Sequence, residues 1–169
     1  MVSISVNQML ELLGLHASVH FNQLAGTGQS ASIPFSSIQN TNDFSVTFWS
    51  NGDIYGPTEA TAFSSLSNNR GIRLWVSPTD TIYRCEIGTD QGIVTITGAL
   101  LRPATEAAWI HVSCTHDSTT KELKLYIDAL LVAETTIAGT FQPNNANPIV
   151  IADSVTGNQN FHRRTDELA

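Results

Sequence analysis

A chain of 169 residues has room for one domain and no second core, and at that length it can bury about 68–70% of its unfolded surface without metals or disulfide staples. Only 14% of the residues are charged and the formal net charge is −7, a balance that repels a phosphate backbone and argues against nucleic acid as a partner. No run of 18 apolar residues is present that could cross a membrane as a helix.

The first residues, Met1 to Leu15, carry no Lys or Arg and place Glu11 within their apolar stretch, a pattern unlike a secretory signal peptide. The expectation is a chain made without a signal peptide that acts at a virion or extracellular surface, with the cytoplasm as the alternative. Val2, Ile4, Val6, Met9, Leu12 and Leu13 mark residues 1–17 as an amino-terminal arm for contact with a partner subunit. Within it, Gln8 to Leu13 could form one or two helical turns with Asn7 as cap.

From residue 18 onward the pattern changes to period two. Phe44, Val46 and Phe48 share one face of a strand while Ser45, Thr47 and Trp49 share the other. Next, Ile72, Leu74 and Val76 oppose Arg73 and Trp75, and Tyr83, Cys85 and Ile87 oppose Arg84 and Glu86. Pro103 to Ala108 reads as a short helix or loop. Ile110, Val112 and Cys114 then oppose Trp109, His111 and Ser113, and Leu123, Leu125 and Ile127 oppose Lys124, Tyr126 and Asp128. Gly, Pro, Asn and Asp punctuate these runs every 8–12 residues or so, which describes an all-β, two-sheet antiparallel sandwich or jelly roll over 18–169. Cys85 and Cys114 are too few for a disulfide framework and read as buried small hydrophobes, with a bridge between them left open only if the fold brings them together.

The residues Ser18-Val19-His20-Phe21, Gly26 to Pro34, Asp43 to Trp49, Trp109-Ile110-His111-Val112, Leu123 to Asp128 and Asp166-Glu167-Leu168, taken in order, resemble the laminin-G-like, concanavalin A-like lectin and glucanase domains. The resemblance implies two curved antiparallel sheets of six or seven strands each. Departures limit what carries over. Asp128-Ala129 stands where the family usually has Asp-Gly, which implies a longer or differently typed turn. The family also continues a strand beyond the Asp-Glu pair, so an unpaired sheet edge is expected at the end of this chain. Calcium is the metal associated with such sandwiches, and the resemblance places Asn22 and Asp166 around it, with Asn weakening the site relative to Asp. No other cofactor is implied.

Catalytic patterns are missing. Glucanases of this kind carry Glu-x-Asp-x-x-Glu on one strand; here the string is absent, and the nearest acidic groupings are Glu86 with Asp90, Glu134 alone, and the pair Asp166-Glu167. No nucleophile elbow, zinc motif or phosphate loop occurs either. The expected role is therefore a non-catalytic recognition or assembly module. Its candidate glycan or partner face consists of the outward side chains Trp49, Arg73, Trp75, Arg84, His111 and Tyr126, since a sugar needs an aromatic plane and fork-like donors. Rim loops containing Asn51, Asp53, Asn68, Arg70, Asn144, Asn145 and Asn160 are the second candidate. A bacteriophage decoration or tail-associated protein, assembled as a homo-oligomer or in a larger particle, fits the arm and the low charge. The alternatives are a carbohydrate-binding module of a larger secreted protein and a glycoside hydrolase.

Overall fold

The computed structural model describes residues 19–20, 31–33, 42–51, 60–76, 82–99, 109–144, 146–151 and 164–166. Among these residues every regular element is a strand. In chain order they are β1 (Val19–His20), β2 (Ala31–Ile33), β3 (Phe44–Asn51), β4 (Ala60–Ser64), β5 (Ile72–Val76) and β6 (Ile82–Thr89), followed by β7 (Gly92–Ala99), β8 (Trp109–Asp117), β9 (Glu122–Ile127), β10 (Leu130–Thr136), β11 (Ile149–Ile151) and β12 (Arg164–Asp166). They form two six-stranded antiparallel sheets: sheet A runs β1-β12-β3-β8-β9-β10 and sheet B runs β2-β11-β4-β5-β6-β7. The arm 1–17 and the expected helical segments at 8–13 and 103–108 lie outside the described residues.

The alternation read from the sequence governs the core. Val46 and Phe48 of β3, Ile110, Val112 and Cys114 of β8, and Leu123, Leu125 and Ile127 of β9 point inward from sheet A, and all are buried. Ile72, Leu74 and Val76 of β5 meet them from sheet B with Tyr83, Cys85 and Ile87 of β6. Two features escaped the pattern. All five residues of β4 are buried, so this strand has no wet side to reveal a period of two. His116 faces inward at the end of β8, where its Nδ1–H donates to the Asn42 carbonyl at 2.7 Å and its ring stacks on Phe44 with centroids 5.5 Å apart.

Cys85 and Cys114 correct the sequence reading, because they form a disulfide that ties β6 of sheet B to β8 of sheet A across the core. Both are inward-facing, and their Cα atoms lie 6.5 Å apart, closer than the usual spacing of about 10 Å between packed sheets and within the reach of a bridge. At the open side of the sandwich β7 and β10 approach each other where Gly98 lies against Val132 and Leu125. A side chain at Gly98 would occupy the space of the Val132 methyl.

The hairpin at Asp128-Ala129 also corrects an expectation. Leu130 pairs directly with Ile127, and Asp128 and Ala129 both take left-handed φ angles of 50° and 64°. This is the two-residue turn with both central residues at positive φ, kept despite the missing glycine. Asp tolerates that region, but an alanine Cβ crowds the following carbonyl at a cost of roughly 1 kcal/mol. Ala129→Gly is therefore expected to raise the unfolding free energy by about 1 kcal/mol in a urea titration, and a loss of stability would refute the turn assignment. Asn68 and Asn69 adopt the same conformation in the β4–β5 connection, at 51° and 58°.

The expected unpaired edge does not involve the last described strand: β12 pairs with β1 on one side and with β3 on the other. Among the described strands the edges are β1 and β10 in sheet A and β2 and β7 in sheet B.

Candidate functional site

The six outward side chains named from the sequence do not form one surface. Trp49 on β3, His111 on β8 and Tyr126 on β9 lie on the outer face of sheet A, whereas Arg73 and Trp75 on β5 and Arg84 on β6 lie on the outer face of sheet B. The core separates the two groups, so they define two candidate sites.

On sheet A, Trp49 and His111 are direct cross-strand partners with ring centroids 4.9 Å apart. The His111 Nε2 lies 2.6 Å from the Thr47 hydroxyl, and its backbone N–H donates to Asp128 Oδ1 at 3.0 Å. Tyr126 pairs with Ser113 and Leu131. Trp109 joins this face with 37% of its surface exposed. The period-two pattern already placed Trp109 outward beside His111, and that was the signal for adding it to the set.

On sheet B the arrangement is tighter. Trp75 points away from the core but is only 4% exposed, which corrects the expectation of an open stacking plane. Two guanidinium groups lie over its indole ring, Arg73 at 4.7 Å and Arg84 at 4.4 Å from the centroid. Cation–π attraction strengthens as the groups are withdrawn from water. The register explains the geometry: Arg73 is two residues before Trp75 on β5, and Arg84 is its direct partner on β6. The two arginines differ in their other partners. Arg73 donates from Nε to Thr61 at 3.0 Å and from an Nη to Glu86 at 3.3 Å, and the Arg73 and Glu86 side chains are mostly buried. Arg84 has no carboxylate partner among the described residues. The Trp75 Nε1–H is buried without an acceptor among the described residues. Thr61 and Ser64 of β4 are buried, whereas Thr95 and Thr97 of β7 are exposed. The outer surface of sheet B is thus closed over β4 and β5 and open over β6 and β7, with Arg84 and Glu86 at the boundary.

The rim candidates divide as well. The Ser67–Arg70 turn adjoins residues 142–144: Gly71 N–H donates to the Gln142 carbonyl at 2.7 Å and Arg70 Nε to that of Pro143 at 3.3 Å. Asn68 and Arg70 are exposed there, but Asn144 is sealed in. Its amide donates to the Ser65 carbonyl at 2.7 Å, and its Oδ1 accepts from Ala146 and Asn147 N–H. Asn144 is a loop brace and leaves the candidate set. Asn51 ends β3 opposite Trp109, at the other end of the sandwich from Phe44, which packs on Phe141 near Asn68 and Arg70. Asp53, Asn145 and Asn160 lie outside the described residues.

Acidic groups at the Phe44 end serve local structure. Asp43 accepts hydrogen bonds from Ser118, which hold its carboxyl below the ordinary carboxylate range. Asp117 is lowered by the backbone N–H groups of Thr120 and Thr119, and Glu122 by Lys124. Among the described residues no group of three or more His, Cys, Asp or Glu could hold a metal. Asn22, one half of the calcium pair, lies outside them. The acids considered for hydrolysis are dispersed: Glu86 binds Arg73, Asp90 accepts the Thr140 N–H in the β6–β7 turn, and Glu134 is on β10 of the other sheet.

Residues 25–169 match the family described as the concanavalin A-like lectin/glucanases superfamily, and the chain belongs to that superfamily. Among solved structures it is similar to the CBM40 domain of the Ruminococcus gnavus IT-sialidase, crystallised with α2,3 sialyllactose. The TM-score is 0.65 at 8% identity, over 90% of this chain and 91% of that one. It is also similar to the NanB sialidase of Streptococcus pneumoniae, with a TM-score of 0.66 at 12% identity, over 88% of this chain and 24% of that one. A third likeness is to the heptameric SAP-like pentraxin of Limulus polyphemus, with a TM-score of 0.63 at 11% identity, over 89% and 73% of the two chains. No curated protein matches the sequence. At these identities the likeness establishes the jelly-roll fold.

Proposed function

We propose that this chain is a non-catalytic carbohydrate-recognition domain whose ligand face is the outer surface of sheet B, and that it acts outside the cytosol. The observation that carries the reading is Arg84: a half-buried guanidinium lying over a buried indole, without a carboxylate partner among the described residues, beside the exposed hydroxyls of Thr95 and Thr97. Sugar-binding surfaces combine such fork-like donors with a rigid apolar floor. The structurally similar CBM40 domain was crystallised with a sialylated trisaccharide, which supports placing the ligand class among glycans. The scattered carboxylates support a binding role without turnover, because glycoside hydrolysis needs two of them across one bond. The Cys85–Cys114 bridge supports an oxidising location, where disulfides persist.

The finer placement, as a subunit of a virion or other multimeric particle, belongs to the same proposal and rests on the apolar arm. Light scattering on the whole chain, with a monomer as the contrary result, tests it. The recognition reading is tested on a glycan array read without added enzyme. The expected result is retention of at least one oligosaccharide class with no release of reducing ends on incubation. An array blank at millimolar glycan, or hydrolysis of a retained glycan, would overturn it.

A further inference from the structure

We propose that the ligand of this face is a carboxylated sugar, held by Arg84, and that Glu86 sets the charge the site accepts; this rests on the carbohydrate reading above. The chain has eight Lys and Arg against fifteen Asp and Glu, yet two of its arginines converge on one indole ring. Like charges are brought together at a cost, which is smallest when anions lie close by. The protein supplies one such anion. Glu86 pairs with Arg73 at 3.3 Å, whereas among the described residues no carboxylate pairs with Arg84. A single carboxylate from a ligand completes the neutralisation.

The geometry favours a ligand over a solvated arginine. The Arg84 guanidinium lies over the Trp75 ring, 4.4 Å from its centroid, and a guanidinium seated there presents a fork suited to a two-oxygen anion. Across the strands Arg84 sits between Trp75 of β5 and Thr97 of β7, and Glu86 is opposite Thr95. A sugar whose carboxylate meets Arg84 therefore has exposed hydroxyls on the open side and a closed wall on the other. Trp75 itself is too covered to be a stacking platform, so recognition here is polar and electrostatic. It follows that binding should weaken with salt, unlike stacking on an open aromatic plane.

Titration calorimetry with the whole chain would use sialyllactose, a glucuronate-terminated trisaccharide, lactose, a sulfated disaccharide and an Asp-Glu peptide. The expected result is at least tenfold tighter binding of both carboxylated sugars than of lactose, weakening as salt is raised. Arg84→Gln should weaken them about 10- to 100-fold, the range of a charge-assisted hydrogen bond. Arg84→Lys should recover part of that loss, and Glu86→Gln should tighten binding several-fold by removing a negative charge beside the site. Far-ultraviolet circular dichroism checks that each variant folds, and the lysine variant stands in if the glutamine variant does not. Binding of lactose alone, unchanged in Arg84→Gln, would overturn this inference and leave the carbohydrate reading intact. Equal affinity for the sulfated sugar would overturn the carboxylate assignment, and equal affinity for the peptide the sugar assignment. Failure of every sugar would remove both readings.

Discussion

Replacing both Cys85 and Cys114 by alanine is expected to lower the unfolding free energy by about 3–4 kcal/mol and the melting temperature by roughly 10 °C. The bridge joins positions 29 residues apart, so breaking it releases a loop of some 30 residues in the unfolded chain, and loop-closure entropy sets the magnitude. Two side observations separate this origin from a lost contact. The urea m-value should rise in the double variant, because the freed unfolded chain exposes more surface. Added reductant should leave the folded protein unchanged over short times, since both cysteines have no exposed surface. A loss under 1 kcal/mol with an unaltered m-value would show that the two sheets are held without the cross-link.

Phe48→Ala should cost a similar amount, about 3–5 kcal/mol, by removing most of a side chain that is 1% exposed at the centre of β3. The relevant comparison lies three positions back on the opposite face of the strand: Ser45 is exposed, and Ser45→Ala should stay within about 0.5 kcal/mol. Phe48→Leu, which keeps most of the volume, should lose less than about 1.5 kcal/mol. Equilibrium urea titrations of the three variants would check the series. Equal losses for Ser45→Ala and Phe48→Ala would contradict the assignment of faces to β3.

Legibility followed burial on one side. Strands with one wet face, such as β3, β8 and β9, were readable because their apolar residues recur every second position. β4 was not, because Ala60 to Ser64 are buried on both faces. The same limit applied to the candidate site. Arg73, Trp75 and Arg84 could be placed outward, but their convergence depends on the register that sets Trp75 opposite Arg84. Local pattern is silent about register between strands. Asn144 looked like a rim ligand because solvated loops and braced loops share one composition; only its contact with the Ser65 carbonyl, 79 positions away, tells them apart.

Residue order alone determined that this chain is an all-β sandwich with a known set of inward side chains, because alternation and turn chemistry are local properties of a strand and its ends. Strand order across each sheet was decided only in three dimensions. It separated Trp49, His111 and Tyr126 from Arg73, Trp75 and Arg84, joined Cys85 to Cys114, and among the described residues left Arg84 without an acid while giving one to Arg73. Each of these results depends on which distant strands become neighbours, and that choice is made by the packing of the whole core.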